Sequence, residues 1–212
     1  MSRIRVAIAD DHPIVREGLQ RIVNACADLE VIAEVASGDD VVDTCVDLRP
    51  DVLLLDISMP GPGFLEVLRQ LGQTDAGTAV LVLSMHPEET FASRALEAGA
   101  AGYLNKQRSV DALADAIRAV ASGRTFFDGT VATRPAAEAR YASQAAPESR
   151  LSPREFQIFL LLGSGMRVTE IASRLDLSPK TISTHRARIL EKTRLKSNAA
   201  IVRYVAGQGL LD

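Results

Sequence analysis

The most constraining feature of this chain is Val52-Leu53-Leu54-Leu55, four consecutive apolar residues that stop at a carboxylate, Asp56. A strand written this way has no polar face to offer water. It predicts burial on both sides, as in a parallel sheet covered by helices. Val80-Leu81-Val82-Leu83 repeats the pattern and stops at Ser84. Ile4-Arg5-Val6-Ala7-Ile8-Ala9 stops at Asp10-Asp11, Gly102-Tyr103-Leu104-Asn105 stops at Lys106, and Val31-Ile32-Ala33-Glu34-Val35 completes the set. Between these runs, apolar residues recur at helical spacing. They are Ile14, Val15, Leu19, Ile22 and Val23, then Val41, Val42, Cys45, Val46 and Leu48, predicted on one side of a helix over 39–48. Phe64, Leu65, Val67, Leu68 and Leu71 mark the next helix, followed by one over 88–98 and one capped by Ser109 with Val110, Leu113, Ile117 and Val120. Parallel strands need crossovers, so this alternation predicts an α/β domain over 1–122 with a five-stranded, doubly wound parallel sheet.

Ligands of such sheets bind beyond the carboxyl ends of the strands. Asp10, Asp11, Asp56, Ser84 and Lys106 all stand at those ends, on four different strands. One polar residue where a buried strand meets solvent means little, but five of these types are a chemical set. Neighbouring carboxylates repel unless a cation sits between them, and Mg²⁺ takes a few carboxylates together with water and phosphate oxygens. Phosphoryl transfer needs a nucleophile, neutralised oxygens and a positive counter-charge. Asp56 can serve as nucleophile, Asp10 and Asp11 as metal ligands, Lys106 as partner to a phosphate oxygen and Ser84 as a donor to another.

The rest of the chain changes character. Residues 123–149 are rich in Ala, Ser, Thr and Pro and predict a linker, helical in part over 136–141. From Leu151 the pattern is all helical. Ser152-Pro153-Arg154-Glu155 is a capping box with proline at the first helical position, Ser178-Pro179 starts another helix, and a last one follows Ser197. The pair joined at Asp176-Leu177-Ser178 has helix-turn-helix proportions, in a four-helix domain over 150–212. Net charge divides the same way. Residues 1–122 carry 10 Lys and Arg against 19 Asp and Glu, whereas 150–212 carry 11 against 5. A basic tail behind an acidic front points to different partners, a polyanion for the tail.

Ala9-Asp10-Asp11-His12-Pro13, Leu55-Asp56-Ile57-Ser58-Met59-Pro60, Leu83-Ser84-Met85-His86 and Gly102-Tyr103-Leu104-Asn105-Lys106 resemble the receiver domain of bacterial response regulators, a flavodoxin-like fold. The tail, through Leu151–Glu155 and Leu177–His185, resembles the LuxR-type helix-turn-helix, and the pairing resembles the NarL/FixJ subfamily. The resemblance implies a partner histidine kinase that phosphorylates Asp56. It implies Mg²⁺ among Asp10, Asp11, Asp56 and the backbone carbonyl of Ser58, and a switch pair in Ser84 and Tyr103. Two departures stand out. Gly61-Pro62-Gly63-Phe64 looks one residue shorter than, or shifted from, the usual loop after Met-Pro, which bears on phosphorylation lifetime. Lys106 is followed by Gln107 where many receivers have proline.

A helix over 180–193 puts Ile182, Ile189 and Thr193 on one side and Lys180, Thr184, Ala187, Arg188 and Glu191 on the other, with Ser183 on a flank. In a major groove, Ser183, Thr184 and Ala187 suit base contact, while Lys180, Thr181, His185 and Arg188 suit phosphates. Arg186 turns toward the inner side. One monomer reads few base pairs, so a homodimer on paired half-sites of double-stranded promoter DNA is expected, with the last helix, through Ile201, Val205 and Leu210, as dimerising element.

No apolar run approaches a bilayer span, and the first residues reach Asp10-Asp11 after one short apolar run, which predicts no secretory leader, no membrane and a cytoplasmic protein. Cys26 and Cys45 read as reduced core thiols, and no Cys or His has zinc-ligand spacing. A chain with this resemblance is not expected to be an enzyme. An Asp-nucleophile phosphatase shares the acyl-phosphate chemistry but usually carries a second acid two residues on, where this chain has Ser58. A receiver that is not phosphorylated and serves as a protein- or ligand-binding module is the other alternative.

Overall fold

A computed structural model describes residues 3–85, 88–127, 130–132, 147–208 and 210. The elements of the front half are β1 (Ile4–Ala9), α1 (Pro13–Asn24), β2 (Leu29–Val35), α2 (Val41–Leu48), β3 (Val52–Asp56), α3 (Phe64–Leu71), β4 (Ala79–Ser84), α4 (Glu88–Glu97), β5 (Gly102–Asn105) and α5 (Val110–Ala121). Two short strands follow, β6 (Thr125–Phe127) and β7 (Thr130–Ala132), then α6 (Pro153–Gly163), α7 (Val168–Arg174), α8 (Pro179–Thr193) and α9 (Asn198–Gly207).

The sheet order is β2-β1-β3-β4-β5-β6-β7, parallel throughout except for the antiparallel β6–β7 pair. Six parallel strands correct the expected five. Thr125, Phe126 and Phe127 are buried and add β6 beside β5 within the stretch whose composition suggests a linker. Three residues are too few to show an alternation, so composition hides them. The helix expected over 136–141 and His86 lie outside the described residues.

Period-two alternation divides the core. Val6 and Ile8 face the layer of α1 and α5, while Ala7 and Ala9 face α2, α3 and α4. Leu53, Leu54 and Leu55 are essentially inaccessible. Each such burial stabilises the fold by about 1.5–3 kcal/mol. Four residues expected inside lie outside: Ile14 is 86% exposed, Val110 at the start of α5 is 53% exposed, and Val46 and Leu48 are about 40% exposed. Ile14 stands in the first turn of α1, and Val46 and Leu48 stand late in α2, away from the buried stripe of Val41 and Cys45.

The second apolar layer does not end with the receiver-like half. One cluster runs from Phe64 and Phe91 into Phe156 and Phe159 of α6. Phe91 meets Phe156 edge-on at 5.6 Å, and Arg94 lies over the Phe156 ring at 3.9 Å. Arg94 also donates to the carbonyls of Glu148 and Leu151. Within the tail, the Ser152 capping box forms as expected, and Ser178 and Ser197 cap α8 and α9. Leu210 is buried but lies beyond the end of α9, not within it.

Candidate functional site

The strand order reverses at β1, which has β2 on one side and β3 on the other. This is the switch point where open α/β sheets form a crevice. Ala9 pairs with Leu55, so Asp10 and Asp56 leave the sheet side by side. Both are buried. One ligand atom each from Asp10, Asp11, His12 and Asp56 lies within 4.8 Å of the others. Lys106 closes the group from the end of β5. Its Nζ lies 2.6 Å from Asp10 Oδ2 and 2.8 Å from Asp56 Oδ1. Its backbone amide donates to the Ser84 carbonyl at 2.7 Å, which ties the lysine to the end of β4. Asp56 Oδ2 accepts from the Ser58 amide at 3.3 Å, and Asp10 Oδ1 accepts from the His12 amide at 2.8 Å.

Burial pushes Asp56 above the ordinary carboxylate range; Lys106 and the Ser58 amide pull against that, and the Asp10 charge adds to it. Burial opposes the charge on Lys106, but Asp56 and Asp10 outweigh it and raise its pKa. The site is thus a partly compensated buried charge cluster. A carboxylate-rich donor set suits a hard divalent cation. Asp11 Oδ1 is buried and accepts no hydrogen bond among the described residues, although His12 Nδ1 lies 2.8 Å away. A carboxylate oxygen left in this condition fits a cation ligand.

Ser84, the last residue of β4, and Tyr103, which lies within the adjacent β5 and pairs with Val82, are both fully buried. Tyr103 is therefore already inside. The sequence does not single out His12 and Arg16 as site residues. His12 approaches Asp11, and Arg16 donates to the Asp10 carbonyl at 2.7 Å. The one signal for His12 is its place directly after the acid pair.

In the tail, Ile182, Ile189 and Thr193 are buried, as the helical spacing predicts. Lys180, Ser183, Thr184, Ala187 and Arg188 are exposed along α8. Ser183 and Thr184 turn their hydroxyls back onto the carbonyls of Pro179 and Lys180, and Thr181 shares a hydrogen bond with Ser178. Arg186 turns inward to Asn198 Oδ1 at 2.5 Å. His185 is half-buried, and its Nδ1 has no hydrogen-bond partner among the described residues. Burial lowers its pKa against the pull of Glu155, and Arg188 and Arg154 add to the lowering.

Residues 6–118 match the response regulator receiver domain, and residues 149–205 match the luxR family of bacterial regulatory proteins. The chain is 34% identical over 210 residues to the response regulator UvrY of Escherichia coli K12, covering 99% of this chain and 96% of that protein. It is 34% identical over 210 residues to the response regulator GacA of Pseudomonas aeruginosa, covering 99% and 98%. The structure of RcsB from Salmonella typhimurium superposes with a TM-score of 0.75 at 25% identity, over 99% of this chain and 100% of that one. RcsB bound to the promoter rprA with the phosphomimetic BeF3⁻ gives 0.68 at 25% identity, over 97% and 99%. The acid-and-lysine crevice and the exposed helix α8 thus lie in the two matched segments, and the chain belongs to the response regulators that join a receiver domain to a LuxR-type helix-turn-helix domain.

Proposed function

We propose that this response regulator takes a phosphoryl group onto Asp56 from a histidine kinase and, so modified, binds promoter DNA as a homodimer in the cytoplasm. Residues 1–122 act as the phosphoacceptor domain, 123–149 as the connection, whose first strands β6 and β7 extend the sheet of that domain, and 150–212 as the DNA-binding domain. The observation that carries this reading is the Lys106 ammonium held between Asp56 and Asp10 at the switch point of the sheet.

In the transfer, an Asp56 carboxylate oxygen attacks phosphorus. The bond from phosphorus to the donor's imidazole nitrogen breaks, leaving an acyl phosphate and a free histidine. Lys106 moves from the Asp56 carboxylate to a phosphoryl oxygen, and the Ser84 hydroxyl donates to another. Asp10, Asp11, Asp56 and the Ser58 carbonyl are the residues that would hold Mg²⁺. Bound there, it supplies charge neutralisation for the phosphoryl oxygens. Ser84 and Tyr103 form the switch pair. Because Tyr103 is already buried, we place the response in a repacking around the ring, not in its entry.

On the DNA side, Ser183, Thr184 and Ala187 meet base edges, and Lys180, Thr181, His185 and Arg188 meet phosphates. Promoter binding by RcsB, the structural neighbour, supports this assignment. A phosphatase reading is disfavoured because Ser58 stands where a second acid is needed.

Incubation with acetyl phosphate and Mg²⁺, followed by intact-mass measurement, tests the acceptor. The wild-type chain gains one phosphoryl group and Asp56→Ala gains none. Equal labelling of both, or of neither, refutes the assignment. Labelling of neither favours the unphosphorylated module.

A further inference from the structure

We infer that Gln157, on the first helix of the DNA-binding half, is a positioning residue for the loop beside Asp56, and that it couples docking of that half to the state of the acceptor. The inference rests on the acceptor reading of Asp56 given above.

The carbonyl of Gly61 is held from α6. Gln157 Nε2 donates to it at 2.9 Å, and Arg154 Nη1 lies 3.5 Å from it. Arg154 Nη1 also donates to Gln157 Oε1 at 2.6 Å, which fixes the orientation of the amide and turns its NH₂ to the loop. Arg154 is itself anchored on the Leu175 carbonyl at 3.1 Å. The loop is fixed from the other side as well. The Gly38 amide donates to the Pro60 carbonyl at 2.9 Å. Gly61 adopts φ +89°, and a Cβ there would meet the Asp39 carboxylate at 2.6 Å and the Asp39 backbone nitrogen at 3.2 Å, so a side chain at this turn would be strained. Pro60 and Pro62 restrict the backbone further.

The loop is short and leads directly to the acceptor. Asp56 accepts from the Ser58 amide, Met59 is buried, and Gly61 follows two residues later. A displacement of Asp56 or Ser58 therefore has little slack before it reaches Gly61. Gln157 also lines a cavity of about 480 Å³ together with Asp11, His12 and Ser58. The departure from the usual receiver loop, Gly61-Pro62-Gly63, is the segment that the DNA-binding half grips. The DNA-facing residues Lys180, Ser183, Thr184, Ala187 and Arg188 stay exposed, so docking does not act by covering them. Docking instead stabilises the loop arrangement that belongs to an unmodified carboxylate. Coupling free energies are reciprocal, so releasing the grip favours the phosphorylated state.

The test uses the full chain and calorimetric titration with beryllofluoride and Mg²⁺. It compares wild type with Gln157→Ala and with Gln157→Glu, which keeps the length but removes the donor. Circular dichroism checks that both variants are folded; Gln157 is only partly buried, so truncating it leaves the core intact. Both variants are expected to bind beryllofluoride at least about fivefold more tightly, the lower end of ordinary allosteric coupling. In wild type, beryllofluoride should also shift the Gly61 and Gly63 amide resonances, and in the variants their starting positions should already lie toward the bound ones. Equal or weaker binding by the variants overturns the inference while leaving the acceptor reading in place. No binding by any of the three chains overturns both.

Discussion

Lys106 Nζ lies 2.8 Å from Asp56 Oδ1, an ion pair between side chains that are 13% and 5% exposed. Breaking such a pair leaves charge without compensation in a poorly solvated place. Lys106→Met should therefore destabilise the chain by about 3 kcal/mol in the absence of divalent cations, measured by urea unfolding. Added Mg²⁺ should recover part of that loss. Unchanged stability would mean that the pair carries no structural weight.

Glu155 gives a pH prediction. Burial alone would raise its pKa, but Lys192 at 2.5 Å and the Ser152 donors outweigh it and hold it below the ordinary 4.5. A carboxyl with a lowered folded pKa contributes stability that is present above about pH 4.5 and lost as pH falls through the lower folded value. Melting temperatures between pH 3 and pH 6 should fall more steeply toward acid for wild type than for Glu155→Gln. Parallel curves would contradict the account.

Gly163 of α6 packs tightly against Val205 of α9. A Cβ at this position would meet Val205 at 2.6 Å. Gly163→Ala should cost about 1–3 kcal/mol by overpacking, despite alanine's better helix propensity. Chemical denaturation of the full chain measures it, and a stabilised variant would show that the two helices separate easily.

The two thiols should differ. Burial pushes Cys45 up to about 11, while Cys26 is half-buried and donates weakly to the Ile22 carbonyl. Thiolate is the reactive form. Iodoacetamide at pH 8 should therefore modify Cys26 in the native chain and reach Cys45 only after denaturation, as read by peptide mass mapping.

If Lys180 neutralises a phosphate, Lys180→Ala should weaken DNA binding on every sequence. The salt slope should then fall by about 0.9, the counterion release that one phosphate accounts for. Binding isotherms across a salt series decide this, and an unchanged slope removes Lys180 from the interface.

The sheet and its acid edge are legible in the sequence because β3 and β4 are written as unbroken apolar runs, and such runs leave one place for Asp56 and Ser84, the strand ends. The buried side of α8 is legible for the same reason, since Ile182, Ile189 and Thr193 recur at helical spacing. Phe126 and Phe127 escape notice because a three-residue strand has no period to detect. Ile14 misleads because spacing tells which residues share a helix face, not where the sheet beneath ends. Arg94, Arg154 and Gln157 are unreadable as interface residues. Their partners are backbone carbonyls of Glu148, Leu151 and Gly61, groups that every residue carries and no sequence pattern marks.

The central claim is that the state of one carboxylate governs the DNA-binding half, and promoter-fragment binding with and without beryllofluoride and Mg²⁺ tests it most directly. Wild type should gain at least tenfold in affinity, about 1.4 kcal/mol, and Asp56→Ala should gain nothing. An equal response of the two chains, or none in wild type, would contradict it.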